Sequence, residues 1–272
     1  MGHLPRQFRN QILNCDVMDV LKDLPSNSVD LVYADPDYNV GINYAGKKYT
    51  LSWDGYISWY SELIKESIRV LKPTGNLFTI NYPKQNAHLR VKFLEDCAHD
   101  LQEYVWVYNT NVGHSKRRFT TAHRSILHAT KSKDNAFYKE QVAQPYKNPG
   151  DPRIRQRIAN GNAGRMPYSW FYFDLVKNVS KDKTFHSCQI PLGLVEMLIN
   201  ATTKPNDNIF ILFGGSGSEI VLAEKMKRVF LSCEINKKYY KMIKDRMDRN
   251  GKIRDKYRCL QISRKENTEQ LL

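Results

Sequence analysis

The sequence predicts an α/β fold, a Rossmann-like and mostly parallel sheet with helices on both faces. Three observations predict it. Short apolar runs end at turn residues, a segment with helical periodicity separates the first two runs, and a strand–glycine turn–helix–strand–helix unit follows in the last third. Strands that alternate with helices are typical of a parallel sheet.

The first half of the chain shows this alternation. Apolar runs typical of buried strands occupy residues 29–34, 76–80 and 104–108. The first run must end at Asp35-Pro36, since the residue before proline avoids helical geometry. Apolar residues recur at helical spacing over residues 57–71, and residues 72–75 are expected to end that helix.

The last third of the chain forms one clear unit. Its glycine turn, residues 214–217, lies between an apolar strand and a helix. The predicted elements are a strand at 208–213, a helix at 218–226, a strand at 229–234 and a helix at 236–249. This unit extends the parallel sheet.

Charge and composition limit the function. The chain carries 42 Lys+Arg against 28 Asp+Glu, a net charge of +14, which favours a polyanionic partner. Since 41% of the residues are apolar, a packed core is expected. The chain shows no apolar run of about 18 residues, no secretion signal and no C-x-x-C pair. We therefore expect a cytoplasmic, nucleoid-associated protein with reduced cysteines and no membrane contact.

The middle of the chain, residues 109–185, is basic, rich in glycine, proline and asparagine, and weakly periodic. It is interpreted as an insertion that reads the substrate rather than as core, although a solvated loop is the alternative. Cationic side chains there are candidates for phosphate contact: Lys116, Arg117, Arg118, Arg124, Arg153, Arg155 and Arg157. The α/β domain then comprises residues 1–108 and 186–260, with a C-terminal tail at 261–272. The histidines of this region form no compact ligand set, so no metal is expected.

The glycine turn predicts a cofactor that contains a nucleoside. Gly215 and Gly217 open a helix directly after a strand, where a ligand can approach the backbone. Glu234 ends the next strand and can accept both hydroxyls of a ribose. A dinucleotide site needs a third small residue where this chain has Ile220. S-adenosyl-L-methionine is therefore favoured over NAD.

A second candidate site follows the first strand, at Asp35-Pro36-Asp37-Tyr38. An exocyclic amine is a poor nucleophile, and hydrogen-bond acceptors must bring its nitrogen toward tetrahedral geometry. The Asp35 carboxylate and the Pro36 carbonyl can supply them, and Tyr38 can stack on a flipped base. Taken alone, the tetrapeptide favours an ordinary Asp-Pro turn.

Several segments together resemble one family. Residues 35–39 resemble the Asp-Pro-Pro-Tyr motif of amino-methylating DNA methyltransferases, and residues 213–217 resemble their cofactor loop. Residues 186–191 resemble the His-Pro-Thr-Gln-Lys-Pro segment, residues 14–25 the segment upstream of the catalytic turn, and residues 69–75 another shared segment. The order, with the catalytic turn first, is similar to the circularly permuted beta-class adenine-N6 methyltransferases of restriction–modification systems.

The resemblance implies specific roles. The catalytic residues would be Asp35, Pro36 and Tyr38, and S-adenosyl-L-methionine would be the cofactor. Residues implied to surround the cofactor are Asp16, His186, Gln189, Pro191, Phe213, Gly214, Gly215, Ser216, Gly217, Glu234 and Ile235. Residues 109–185 would form the target-recognition region on double-stranded DNA. Relatives often pair, so the resemblance allows a homodimer, but the sequence itself gives no oligomeric state.

Two departures keep an alternative open. Asp37 replaces the second proline of the catalytic motif, which brings a like charge near Asp35. Ile211-Leu212 replaces an Asp-Pro pair whose carboxylate, by resemblance, holds the amino group of the cofactor. The alternative is a catalytically weak, methyltransferase-like subunit that binds DNA. A methyltransferase acting on RNA or protein is a third hypothesis.

Overall fold

A mixed sheet of eight strands is the centre of the computed structural model, which describes residues 2–109, 116–162, 164–178 and 180–259. The predicted tail, residues 261–272, lies outside the described residues. The strands are β1 Gln11–Leu13, β2 Val29–Ala34, β3 Asn43–Tyr44, β4 Lys47–Lys48, β5 Leu71–Asn81, β6 Asp100–Val107, β7 His123–Thr130, β8 Trp170–Tyr172, β9 Asn208–Ile211 and β10 Val229–Cys233. The sheet order is β1-β10-β9-β2-β5-β7-β6-β8, and β3–β4 is a separate hairpin.

Helices cover both faces of this sheet. They are α1 Val17–Asp23, α2 Trp53–Val70, α3 Pro83–Leu89, α4 Glu95–Cys97, α5 Lys139–Val142, α6 Pro152–Ala159, α7 Leu192–Thr202, α8 Ser218–Lys225 and α9 Lys237–Asp248. Side chains cap the starts of α1, α2, α6 and α9. At the first two, Asp16 accepts the backbone N–H of Met18 and Ser52 accepts that of Gly55. None of the helices in the described part of the chain is long and apolar enough to cross a membrane.

The predicted α/β class is confirmed. Strands β1, β10, β9, β2 and β5 run parallel, whereas β7 pairs antiparallel with both β5 and β6. One expectation within this region is wrong, because residues 72–75 do not end a helix. Helix α2 ends at Val70, and these residues lie within β5, where the pairing with β2 jumps from Val29–Leu71 to Leu31–Asn76.

The prediction that residues 109–185 lie outside the core is wrong for β7, a strand of the main sheet. Its residues Ile126 and Leu127 are buried between β5 and β6. Leu127 packs in the cluster under α2, and Ile126 packs in the cluster on the opposite face of the sheet. Residues 123–130 therefore belong to the α/β sheet, and the same holds for β8, which pairs with β6 at the edge.

Parallel strands place the site. β2, β9 and β10 lie side by side, so their carboxyl ends meet at one edge of the sheet. The Asp35 turn follows β2, the glycine turn follows β9, and Glu234 follows β10. Sheet topology alone therefore brings together segments that are far apart in the sequence.

Candidate active and cofactor site

A cavity of about 450 Å³ opens at this edge, a size suited to a small-molecule ligand. Asp35 and Gly215, 180 positions apart in the sequence, both line it. Eleven of the residues predicted from the sequence line this cavity: Asp16, Asp35, Pro36, Tyr38, His186, Phe213, Gly214, Gly215, Ser216, Glu234 and Ile235. The structure thus joins the two predicted motifs in one site.

Hydrogen bonds hold the turn at residues 35–38 in place. The Tyr38 hydroxyl donates to Asp35 Oδ1 at 2.5 Å. Gln85 Nε2 donates to the Tyr38 carbonyl at 2.7 Å, and the Tyr56 hydroxyl donates to the Asp37 carbonyl at 2.8 Å. Side chains of α2 and α3 therefore fix the backbone of the turn. Asp35 lies on the side of the turn that lines the cavity.

Burial dominates the electrostatics of Asp35. It raises the pKa of this carboxyl to about 7, although the Tyr38 hydrogen bond and the Arg124 charge act in the opposite direction. The like charge of Asp37, expected from the sequence to matter, is a smaller cause. Asp37 itself accepts the backbone N–H of Asn39 through Oδ1, while its buried Oδ2 has no hydrogen-bond partner in the described part of the chain.

The Tyr38 ring is not free to stack in this conformation. It is 4% exposed and lies edge-on to Tyr82, with ring centroids 5.2 Å apart. The Arg124 guanidinium covers the Tyr82 ring at 3.8 Å and donates to the Tyr82 hydroxyl at 3.0 Å. The sequence predicts that Arg124 contacts DNA from an insertion outside the core, but Arg124 lies on β7, within the sheet, and its guanidinium is 5.6 Å from the Tyr38 ring.

The glycine turn is braced by the next strand. Glu234 Oε2 accepts the backbone N–H of Gly215 at 2.8 Å, and its Oε1 accepts that of Asn236 at 2.7 Å. Gly215 has φ +52°, and a Cβ there would lie 3.3 Å from the His186 ring. Glycine is therefore required both by the backbone conformation and by the close approach of His186.

Three residues predicted to contact the cofactor do not line the cavity: Gln189, Pro191 and Gly217. The Gln189 amide is used within the protein, since Nε2 donates to the Asp182 carbonyl at 2.9 Å and to Ser218 Oγ at 3.2 Å. Pro191 caps α7 and Gly217 caps α8. Gln189 thereby ties residue 182 to the first residue of α8.

Other cavity residues were missed by sequence reasoning. Tyr44, Cys188 and Glu219 line the cavity but are not among the predicted site residues, although Cys188 lies within the motif-like segment 186–191. Tyr44 comes from the β3–β4 hairpin, and its hydroxyl lies 4.0 Å from Cys188 Sγ. Glu219 is 6% exposed, and burial raises its pKa to about 7. Its position two residues after Gly217 was the available signal.

The remaining predicted cations are exposed. Lys116, Arg117 and Arg118 lie on the surface before β7. The second group lies on α6, a helix without a buried residue, and comprises Arg153, Arg155 and Arg157. Asp151 caps this helix and pairs with Arg153 at 3.0 Å.

A sequence-family comparison decides what the chain is. The profile of a family described as DNA methylase matches residues 29–245, which contain the catalytic turn, the glycine turn and Glu234. The chain belongs to this DNA methylase family. The Type II methyltransferase M.BglII of Bacillus subtilis is 28% identical to this methylase over 264 residues, which is 91% of the chain and 72% of the relative. The DNA adenine methyltransferase YhdJ of Escherichia coli (strain K12) is 28% identical over 267 residues, with 91% and 86% covered.

Solved structures show the same fold. A crystal structure of an M1.HpyAVI–SAM complex superposes on this methylase with a TM-score of 0.63 and 22% identity, covering 88% of the chain and 98% of that structure. The cytosine-N4-specific PvuII DNA methyltransferase superposes with a TM-score of 0.65 and 18% identity, covering 88% and 92%. Fold likeness therefore extends to an enzyme described as cytosine-N4-specific.

Proposed function

We propose that this DNA methylase transfers a methyl group from S-adenosyl-L-methionine to the N6 amine of adenine in duplex DNA, as a modification enzyme of the restriction–modification type. The observation that carries the proposal is the single cavity lined by both Asp35 and Gly215. One segment offers a hydrogen-bond acceptor for an amine, and the other offers a backbone cradle for a nucleoside.

The residues present fit this cofactor. The cavity is large enough for a nucleoside with an amino-acid tail. At the glycine loop, Glu234 is held by two backbone N–H groups, and each of its oxygens keeps a second lone pair for a ribose hydroxyl. Carboxylates of Asp35, Asp37 and Glu219 surround the rest of the cavity, which suits a ligand with cationic groups.

The residues of the catalytic turn define the chemistry. When bound, the cofactor supplies a methyl group on a cationic sulfur. Asp35 accepts a hydrogen bond from one N–H of the target amine, and the Pro36 carbonyl accepts the other. The nitrogen lone pair would thereby be free to take the methyl group, while the sulfur–methyl bond would break and its electron pair would stay on a neutral thioether. Asp35 is placed to take up the proton that the methylated nitrogen loses, while Tyr38 and Gln85 keep the turn rigid.

Adenine is favoured over cytosine by two observations. The first residue of the motif at 35–38 is Asp35 rather than a serine, which resembles the adenine-methylating rather than the cytosine-methylating members of the family. The relative YhdJ is also named a DNA adenine methyltransferase. The test is methylation of a random-sequence duplex pool, followed by mass spectrometry of the nucleosides. We expect N6-methyladenine.

The other outcomes of this experiment discriminate between hypotheses. N4-methylcytosine would overturn the target base and keep the enzyme class. Retained DNA binding with no methylated base and no cofactor binding would identify the weak DNA-binding subunit instead. Methylation of RNA in preference to the duplex would assign a different substrate.

The exposed cations are proposed to contact DNA phosphates. Replacing Arg153, Arg155 and Arg157 together by glutamine is expected to weaken duplex binding uniformly across sequences. The negative slope of log K against log salt should become shallower by about 3, because each phosphate contact contributes about 0.9 to its magnitude. The measurement is fluorescence anisotropy between about 50 and 200 mM salt. Lys237→Gln and Lys238→Gln, at the exposed start of α9, form the control. An unchanged slope would remove α6 from the DNA interface.

Pairing of two copies and residence at the nucleoid stay predictions of the sequence.

A further inference from the structure

Glu219 is a buried acid with no role in the methyl-transfer steps proposed above. It lies in the first turn of α8, lines the cavity together with Asp35, and is 6% exposed. Within the described residues no cationic side chain lies within 4 Å of it. Arg246 acts on it electrostatically, but the Arg246 guanidinium is bonded to the Ser216 carbonyl and to Ser218 Oγ.

Each of the other carboxylates of the cavity accepts a hydrogen bond from another residue. Asp35 accepts the Tyr38 hydroxyl, Asp37 accepts the Asn39 N–H through Oδ1, Glu234 accepts two backbone N–H groups, and Asp16 accepts the N–H that starts α1. Among the described residues, Glu219 takes a hydrogen bond from its own backbone N–H, and Arg246 acts on it as a more distant charge. A buried carboxylate without a cation in direct contact is costly, so a side chain of this kind is best explained by a cationic ligand group.

The cofactor has two cationic groups of different chemistry. Its sulfonium has no N–H, whereas its α-ammonium has three donors and forms charge-assisted hydrogen bonds with carboxylates. β9 ends at Ile211 and is followed by Leu212, both buried and apolar, so this strand supplies no acid to the site. The next acidic residue along the chain is Glu219.

We propose that Glu219 binds the α-ammonium of S-adenosyl-L-methionine and acts as a positioning residue for the cofactor. Its carboxylate holds the amino-acid end, while the glycine loop and Glu234 hold the nucleoside end. Two fixed ends orient the methyl group toward Asp35. This assignment rests on the cofactor site proposed above.

The test is the Glu219→Gln variant, which keeps the shape and removes the charge. Binding is measured by calorimetry with three ligands: S-adenosyl-L-methionine, S-adenosyl-L-homocysteine and 5′-methylthioadenosine. The first two carry the ammonium and the third does not. We expect Kd to rise at least tenfold for the first two, and to stay within about twofold for 5′-methylthioadenosine, since one charge-assisted hydrogen bond is lost. Glu224→Gln, exposed on the same helix, is expected to change none of the three.

Each other result has a definite meaning. A loss confined to S-adenosyl-L-methionine would assign Glu219 to the sulfonium, and equal losses for all three ligands would show a packing role. No loss at all would also overturn the proposal. Failure of the unmodified protein to bind 5′-methylthioadenosine and the other two ligands would instead overturn the cofactor site itself. If Glu219→Gln does not fold, Glu219→Asp should show the same selectivity with a smaller loss.

Discussion

Replacing Asp35 by asparagine is expected to lower the rate of methyl transfer about a thousandfold. The amide keeps the size of the carboxylate, but it is a weaker acceptor for the target amine and cannot take up its proton. Cofactor binding should change little, because Glu234 and the glycine loop hold the nucleoside. The measurement is single-turnover transfer of labelled methyl to duplex DNA, with calorimetry for cofactor binding.

The control is Asp23→Asn, an exposed acid at the end of α1. It should transfer methyl groups at the normal rate. Activity of Asp35→Asn within about tenfold of the unmodified protein would remove Asp35 from its catalytic role, since an acid–base residue contributes at least about a hundredfold.

The pH profile gives an independent test of the same residue. Burial raises the pKa of Asp35 to about 7, and the deprotonated form is the one that accepts the amine N–H. The value of kcat/KM should therefore rise with pH through about 7 and level off above it. This rise should disappear in Asp35→Asn. It should persist in Glu219→Gln, although burial raises the pKa of Glu219 to about 7 as well.

Stability should respond in the opposite sense. The pKa of Asp35 is higher in the folded protein than in the unfolded chain, so the folded state binds more protons between about pH 4 and pH 7. The unmodified protein therefore loses stability as the pH rises through this window, whereas Asp35→Asn lacks the titrating group and does not lose this contribution. The Tm of the variant minus the Tm of the unmodified protein should therefore be larger at pH 8 than at pH 5. A constant difference would contradict the burial of a charge at Asp35.

Local patterns were enough to predict the two halves of the site. Asp35 and Gly215 each follow an apolar run, and side chains that follow parallel strands share one edge of the sheet. The meeting of these residues therefore follows from periodicity and topology. The glycine requirement at 215 is likewise local, because a tight turn between strand and helix needs a positive φ.

Residues whose roles depend on packing were not predictable in this way. The apolar part of β7, residues 125–130, is short and follows a run of cations, so the sequence pattern favours an insertion there. In the structure, β5 and β6 pair with this strand along both of its edges. Arg124 lies beside the catalytic turn only because β7 is in the sheet. Gln189 fits the family pattern by type, but whether its amide faces a ligand or the protein depends on neighbours distant in the sequence.

Replacing Gly215 by leucine should abolish cofactor binding, with Kd raised at least a hundredfold. Three effects act together. The backbone has φ +52°, which disfavours any residue with a Cβ, and that Cβ would lie 3.3 Å from the His186 ring. The rest of the leucine side chain would then occupy the cavity where the nucleoside is proposed to bind. Calorimetry with S-adenosyl-L-homocysteine measures the loss.

The matched control separates backbone strain from filling of the cavity. Gly161 has φ +82°, and a Cβ there would meet no atom within 4 Å. Gly161→Leu therefore carries the same kind of strain away from the site and should bind the cofactor normally. Gly215→Ala, whose single methyl requires His186 to shift by a few tenths of an ångström, should fall between the two. Normal binding by Gly215→Leu would show that the cofactor does not lie against this loop, because a side chain of that size and a nucleoside cannot share the space.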